Sequence, residues 1–405
     1  MTDKSAVKIA LVDDEPFMLK LLGRMLENLG FTALTSHTSG RAALEACTAA
    51  GQPDVILLDL NMPEMDGIEF VRHLVDRRYA GSLILVSGED ERMLQAASKL
   101  VETHQIRVLG HLHKPVQPAA LAGMLAKWSP PVTGRQRATQ TAYSAEAVQT
   151  AIANGELVNF YQPKVAVGSG AVVGVETLVR WQHPVDGLVF PDQFVGVAEA
   201  HGLIDDLTRA VLTAALAQAR AWHDAGLALR VAVNLSMDNL LKLGFADFVA
   251  GLTARAGVAP AEIVLEVTES RLMTDLRTPL DILTRLRLKR FRLSIDDFGT
   301  GHSSLTQLRD LPFDELKIDR GFVHRAGTNA TLRAIFAANL NMARQLGMEV
   351  VAEGVEDQDD WDFLRQAGCD LAQGYFIARP MSAASLPAWI AAWETRRHEL
   401  CPQLS

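Results

Sequence analysis

Seven short apolar runs between Gly174 and Phe376 each lead into one polar residue: VVGVE at Glu176, VAVN at Asn234, IVLE at Glu266, LSID at Asp296, ELK at Lys317, VVAE at Glu353 and LAQ at Gln373. Continuous β-branched runs of this kind predict strands covered on both faces, as in a parallel sheet wrapped by helices. The intervals between them are long enough for crossover helices. The pattern therefore predicts a (β/α)8-type (TIM-like) barrel, whose chemistry sits at the carboxyl ends of its strands. Charged groups rarely occupy such positions without a partner or a metal, because desolvating them is costly. Carboxylates, an amide and an ammonium converging on one mouth point to divalent metals and phosphate.

The N-terminal part alternates in type. VKIALVDDE is an apolar strand ending in acids, and FMLKLLGRMLENLG is an amphipathic helix stopped by glycine. DVILLDL, GSLILVSG and VLGHLHKP follow, separated by helical patterns such as EDERMLQAASKLVETH. Strand-then-helix repetition predicts a doubly wound, flavodoxin-like α/β sheet with its active groups again at the strands' carboxyl ends. WSPPVTGRQRATQTAY, with two prolines and no apolar periodicity, reads as a linker. Ser144 then caps a helix over AEAVQTAIANGEL that Gly155 ends. The boundaries expected are an N-terminal domain over 5–127, a linker over 128–144 and a barrel domain over 145–398. Arg285, Arg287, Lys289, Arg290 and Arg292 cluster in LTRLRLKRFRL, which reads as a solvated helix end leading into a strand, with a docking patch as the alternative.

Bulk properties narrow the class. With 405 residues the chain holds two domains, since a barrel alone takes about 250. A hydrophobic content of 48% and a charged content of 21% are those of a soluble globular protein. The net charge of −9 argues against broad electrostatic binding to nucleic acid or anionic lipid. Cys47, Cys369 and Cys401 are too scattered for a disulfide framework or a metal knuckle, which suits a reducing cytoplasm. No apolar stretch approaches the roughly 18 residues of a membrane span, and no signal-length apolar core precedes Asp13 and Asp14. A soluble, cytoplasmic protein is expected.

In the first domain, Asp13, Asp14 and Asp59 follow strands that lie side by side in the flavodoxin-like order. Three carboxylates in one crevice need a hard cation such as Mg²⁺ between them, and a metal-bound, partly exposed aspartate can accept a phosphoryl group. Ser87 supplies a hydroxyl and Lys114 a point charge for phosphate oxygens, and Lys114 precedes Pro115, so a cis peptide can form there. VDDEP, LLDLNMPEMDG, VSG and HKP resemble the two-component receiver domain in order and spacing across residues 5–125. The resemblance implies that Asp59 takes a phosphoryl group from a histidine kinase or phosphotransfer protein, with Asp14 and the Asn61 carbonyl on Mg²⁺ and Ser87 and Lys114 sensing the phosphate. Two departures are His111, where many receivers carry a switch aromatic, and a Ser87–Lys114 interval longer than usual around the fourth helix.

In the second domain, Glu176, Asn234, Glu266 and Asp296 offer oxygen donors only, the set that Mg²⁺ or Mn²⁺ prefers over zinc. Asp297 beside Asp296 can serve a second metal about 4 Å away, the arrangement used for in-line displacement at phosphorus. Lys317 can hold the attacking water, and Glu353 can accept its proton or ligate a metal. DDFGTGHSS is a glycine-bearing loop suited to a lid. YQPKV, GVETLVRWQHP, FPDQF, VAVNLS, LEVTES, DDFGTGHSSL, LKIDR, VAEGVE and QGYFIARP are similar to an EAL domain from about Tyr161 to Met381. Such domains hydrolyse cyclic di-GMP to the linear dinucleotide with Mg²⁺ or Mn²⁺. The resemblance makes Glu176, Asn234, Glu266, Asp296 and Asp297 metal ligands, with Lys317 on the water, Glu353 as base or metal ligand and Gln373 holding the site together. Gln162, Leu178, Arg180, Asn234, Asp297 and Gln373 would meet the substrate, Arg180 as a phosphate fork. Glu269, Gly299, Thr300 and Gly301 would anchor and form the lid. Thr177 stands where the signature triplet has alanine, and its hydroxyl needs a local partner; His302 stands where the lid has tyrosine.

A phosphorylatable input before a hydrolase implies a response regulator whose output is messenger degradation, working as a homo-oligomer whose pairing Asp59 phosphorylation changes. The rival reading is a catalytically weak EAL domain acting as a cyclic di-GMP sensor or scaffold. No helix-turn-helix or basic recognition helix is legible, so no direct DNA binding is expected.

Overall fold

The computed structural model describes residues 4–49, 51–77, 79–88, 93–94, 97–98, 100–101, 106–128, 143–268, 277–299 and 311–401. Residues 1–139 and 140–405 form separate units, each taken by itself. In the first, strands β1 (Ile9–Val12), β2 (Leu34–His37), β3 (Val55–Asp59), β4 (Ser82–Ser87) and β5 (Arg107–His113) form a parallel sheet in the order β2-β1-β3-β4-β5. Every residue of β1, β3 and β4 is buried, as their unbroken apolar runs predict. Alternate side chains feed two cores. Ile9, Leu11, Leu57 and Ile84 meet Leu19, Leu22 and Leu26 of the helix Pro16–Asn28, while Ala10, Ile56, Leu58 and Leu83 meet Phe70, Val71 and Leu74 of the helix Gly67–Asp76. Each large side chain buried there contributes about 1.5–3 kcal/mol. Because β1 and β3 are neighbours, the crevice at their carboxyl ends receives the acids that follow both.

The second unit is a closed barrel of eight strands: β6 (Leu157–Ala166), β7 (Val172–His183), β9 (Arg230–Leu235), β10 (Ile263–Thr268), β11 (Arg292–Phe298), β12 (Glu315–Ile318), β13 (Glu349–Ala352) and β14 (Leu371–Ala372). The short β8 (Gly187–Val189) and β15 (Met381–Ser382) pair at the rim with β7 and β6. The seven runs singled out in the sequence are β7 and β9–β14, all mutually parallel. The eighth strand, β6, runs antiparallel to both of its neighbours and closes the ring. Its reversal follows from its connection. Only VGSGA separates β6 from β7, enough for a hairpin (Gly170, φ +66°) but not for the crossover a parallel pair requires.

The helix Ala145–Ala153 starts where expected, with Ser144 Oγ accepting from Ala147 N–H at 3.2 Å. The helix Ile204–Asp224 buries Leu207, Val211, Leu212, Leu216 and Trp222 in the layer between strands and helices. The basic segment after Leu283 is a partly exposed helix end leading into β11, as expected, and its cations are also paired. Arg285 and Lys289 both clamp Asp247, Arg287 pairs with Asp314, and Arg292 reaches Glu349, so these cations fasten neighbouring elements. Among the described residues, no helix is long and apolar enough to cross a membrane.

Candidate functional site

Strand alternation aims the barrel site. On β10, Ile263, Leu265 and Val267 pack outward into the helix layer, which turns Glu266 to the axis. The same parity and the register Gln162–Glu176, Glu266–Asn234 and Ser294–Glu315 bring Gln162, Lys164, Glu176, Asn234, Asp296, Glu315 and Lys317 inward. Glu353 and Gln373 follow β13 and β14, held by backbone bonds to Ile318 (3.0 Å) and Ala352 (2.9 Å). A Cβ on the next residue, Gly374, would lie 2.2 Å from backbone atoms of Val355, so only glycine lets the chain turn there.

Lys317 is the hub. Its Nζ lies 2.8 Å from Glu353, 3.0 Å from Glu266, 3.1 Å from Asp296 and 3.6 Å from Glu176. Glu176 Oε1 accepts from Asn234 Nδ2 at 2.8 Å and Oε2 from Gln373 Nε2 at 2.6 Å. The Gln373 amide also donates to Gln162 Oε1 at 3.0 Å, and Gln162 anchors on the Ala378 carbonyl at 2.9 Å. Two oxygen clusters share Asp296: Glu176–Glu266–Asp296 and Asp296–Asp297–Glu353, each with donor atoms within 4.8 Å of one another. Asp297 adopts the left-handed conformation (φ 56°), which aspartate tolerates better than most residues, and its N–H donates to Asp296 Oδ1 at 2.9 Å.

The protonation equilibria diverge across this cage. Burial alone would raise Glu266, but Lys164 and Lys317 outweigh it and hold the carboxyl at about 2. Burial pushes Glu353 up to about 8 in spite of Lys317, with Asp296 and Glu176 adding to the rise. Glu176 and Asp296 are raised for the same leading reason. The Lys317 ammonium, disfavoured by burial, is nevertheless held well above its ordinary value by the four carboxylates. Such divergence within one polar cluster is the usual mark of a functional site.

Two cavities flank the cage. One of about 670 Å³ is lined by Leu178, Glu199, Asn234, Asp297 and an apolar wall that includes Leu207 and Val211. The other, about 220 Å³, is lined by Gln162, Glu176, Glu353, Gln373 and Tyr375. Arg180 is more enclosed than a phosphate fork suggests: its guanidinium lies 4.8 Å from the Phe190 ring centre, and Nη1 donates to the Val179 carbonyl at 2.8 Å. Thr177 is buried and its Oγ1 has no hydrogen-bond partner, contrary to expectation. Gly299 (φ +95°) has no room for a Cβ, which would lie 2.9 Å from the Phe322 ring. Glu269, Thr300, Gly301 and His302 lie outside the described residues.

Lys164 and Glu315 belong to the same polar interior and were not foreseen. Each stands two residues from a recognised position, Gln162 and Lys317, and period-two alternation places it on the same face.

In the first unit, Asp13 and Asp59 are buried and Asp14 half-buried, with carboxylate oxygens of all three within 4.8 Å. Lys114 Nζ bridges Asp59 (2.8 Å) and Asp13 (2.9 Å), while Glu15 N–H and Asn61 N–H fix the remaining oxygens of Asp13 and Asp59 at 2.8 and 3.2 Å. Burial raises the Asp59 carboxyl against the pull of Lys114. The Lys114–Pro115 peptide is cis, and Lys114 N–H bonds the carbonyl of the buried Ser87 at 2.8 Å.

Comparison with known proteins agrees with both units. The EAL domain family model matches residues 145–380, and the response regulator receiver domain model matches residues 9–126. The cyclic di-GMP phosphodiesterase RocR of Pseudomonas aeruginosa is 31% identical over 377 residues, covering 93% of this chain and 96% of RocR. The structure described as the PaMucR phosphodiesterase in complex with c-di-GMP is 42% identical with a TM-score of 0.57, covering 60% of this chain and 98% of that one. The EAL enzyme Bd1971, bound to cAMP and cyclic di-GMP, is 28% identical with a TM-score of 0.58, over 61% of this chain and 68% of its own. The chain therefore belongs to the EAL domain family, as a response regulator that joins a receiver domain to an EAL barrel.

Proposed function

We propose that this protein hydrolyses cyclic di-GMP to linear pGpG at the barrel mouth, with activity modulated by phosphorylation of Asp59. The observation that carries the reading is the cage of Glu176, Glu266, Asp296, Asp297 and Glu353 around Lys317, flanked by two cavities. Six carboxylates, Glu315 included, face two ammonium groups, Lys164 and Lys317, and this surplus of negative oxygen donors fits hard divalent cations. Glu176, Asn234, Glu266, Asp296, Asp297 and Glu353 would hold two such ions, Mg²⁺ or Mn²⁺. When bound, they would supply Lewis acidity at the phosphodiester and lower the pKa of water.

The chain's own groups do the rest. Gln162, Leu178, Arg180, Asn234, Asp297 and Gln373 orient the dinucleotide across the two cavities. Lys317 positions the attacking water, and Glu353, 2.8 Å from the Lys317 ammonium, takes its proton. The new P–O bond forms as the bond to one bridging 3′ oxygen breaks; that oxygen is protonated, and the ring opens to a 5′-phosphorylated linear product. Gln373 keeps Glu176 and Gln162 in register.

In the receiver, taken as 5–127 and joined through 128–144 to the barrel domain 145–398, Asp59 would accept the phosphoryl group. Asp14, Asp59 and the Asn61 carbonyl would hold a Mg²⁺ with Asp13 beside them, and Lys114 and Ser87 would hold the phosphate. A histidine kinase or phosphotransfer protein is the donor by this reading. Lys114 already spans Asp59 and Asp13, so a phosphoryl group must break that bridge, a local change able to bias the homo-oligomer that we infer. Equal turnover by acetyl-phosphate-treated protein and by Asp59→Asn would refute the control.

The test of the activity is direct. Purified protein incubated with cyclic di-GMP and Mg²⁺ or Mn²⁺ should release pGpG, resolved by chromatography, and a chelator should abolish it. Tight binding with no product under either metal, receiver phosphorylated, would make the protein a sensor instead.

A further inference from the structure

Beneath the cage, the barrel axis carries a second pair of charges. Lys164 Nζ donates to Glu266 Oε1 at 2.6 Å and to Glu315 Oε1 at 3.1 Å, while Glu266 Oε2 accepts from Lys317 at 3.0 Å. All of these side chains are at most 4% exposed. A small cavity of about 10 Å³, lined by Lys164, Glu315, Gly174 and Arg230, adjoins them. The two oxygens of Glu266 thus have separate partners: Oε1 is bound to Lys164 from below, and Oε2 to Lys317 on the side of the mouth.

We propose that Lys164, itself held by Glu315, is a positioning residue that restricts Glu266 to one outward oxygen and so selects small octahedral cations over Ca²⁺. The inference rests on the metal-dependent reading above. Mg²⁺ demands near-ideal octahedral geometry, whereas Ca²⁺ accepts six to eight oxygens and readily takes carboxylates through both. With Oε1 committed to an ammonium, Glu266 cannot chelate. The pair carries no net charge, so its effect falls on geometry more than on total attraction for a cation.

Removing both partners isolates that effect. Lys164→Met/Glu315→Met keeps the volume and the net charge roughly constant, and Glu266 retains its contact with Lys317, a replacement buried ion pairs often tolerate. Full-length protein carrying Asp13→Asn and Asp14→Asn, to silence the receiver's acids, is titrated with Mg²⁺, Mn²⁺ and Ca²⁺ by calorimetry and thermal shift. Groups that orient metal ligands typically change affinity 10- to 100-fold when lost. The ratio of Ca²⁺ to Mg²⁺ affinity should therefore rise about tenfold or more in the double variant. Glu315→Gln, which keeps the Lys164–Glu266 contact, should hold the ratio near the unsubstituted value. Lys164→Leu/Glu315→Gln carries the same test if the first pair folds poorly. An unchanged ratio in the charge-free variants, or an equal rise in Glu315→Gln, overturns the proposal. Failure of any divalent cation to bind the unsubstituted barrel would instead sink the metal-dependent reading itself.

Discussion

Replacing Lys317 with methionine removes one ammonium from the centre of four carboxylates and leaves a side chain of similar length. The lost contacts are those at 2.8, 3.0, 3.1 and 3.6 Å, all within a site where Lys317 is 1% exposed. Removing one partner of a buried ion pair typically costs 3–5 kcal/mol, because the remaining charge is stranded without compensation. Here the stranded charge is several carboxylates, partly relieved by protonation of Glu353, so about 3–5 kcal/mol is the scale for the metal-free protein. A loss of about 1 kcal/mol lowers Tm by roughly 2–4 °C in a unit of this size, so the shift should be about 6–20 °C. The sign reverses in interest when a divalent cation is added. A cage that has lost its internal cation gains more from an external one, so Mg²⁺ or Mn²⁺ should raise the Tm of Lys317→Met by more than that of the unsubstituted protein. Differential scanning fluorimetry in chelator and in metal reads both effects, and the receiver's acids contribute equally to each protein. Equal melting in chelator, or no extra stabilisation by metal, would show that Lys317 is not the counter-charge of this cage.

Two further outcomes follow from a part-buried carboxylate at the far end of the barrel and a buried hydroxyl next to Glu176. Glu349 ties Arg230 (2.5 Å) to Arg292 (2.9 Å) at the opposite end of the barrel; although burial works to raise its carboxyl, these guanidiniums hold it below its ordinary value of 4.5. A depressed folded-state pKa contributes stability above the unfolded value that disappears as pH falls through the folded one. Glu349→Gln should therefore lose about 1–2 kcal/mol at neutral pH and unfold with a shallower acid dependence below about pH 4.5, measured by urea titration; an unchanged acid limb contradicts the assignment. Thr177→Val keeps the shape of the side chain and deletes its unpartnered buried hydroxyl, so it should gain about 1 kcal/mol in urea unfolding without loss of turnover, and a loss of stability would mean that the hydroxyl has a partner.

The strand-end residues were legible because two constraints coincide at them. An apolar run that stops on Glu, Asp, Asn, Lys or Gln marks both the end of a strand and an unusually costly place for a polar group. Glu176, Glu266, Asp296, Lys317 and Glu353 do converge, as that argument requires. The reversal of β6 was less visible, since its own run, LVNFYQPKVA, is broken by polar residues; the signal was the five-residue VGSGA turn, too short for a crossover. Lys164 and Glu315 were missed for a related reason. Polar residues inside a strand look like its solvent face until the closed barrel shows that this face is the axis. The ion pairs of the basic run after Leu283 were not legible, because its counter-ions Asp247, Asp314 and Glu349 come from segments distant in sequence. The orphaned Thr177 hydroxyl depends on its tertiary surroundings, which no local pattern encodes.

The central claim is that the caged carboxylates carry out hydrolysis, with Glu353 as the group that takes the proton. Glu353→Gln keeps the shape and a hydrogen-bonding oxygen but removes the ability to accept a proton near neutral pH. Binding of cyclic di-GMP by calorimetry and single-turnover release of pGpG by chromatography, measured on the same preparation, separate recognition from chemistry. Binding retained within a few-fold, with release slowed about 100-fold or more, is the predicted result. Full-rate release by Glu353→Gln would contradict it.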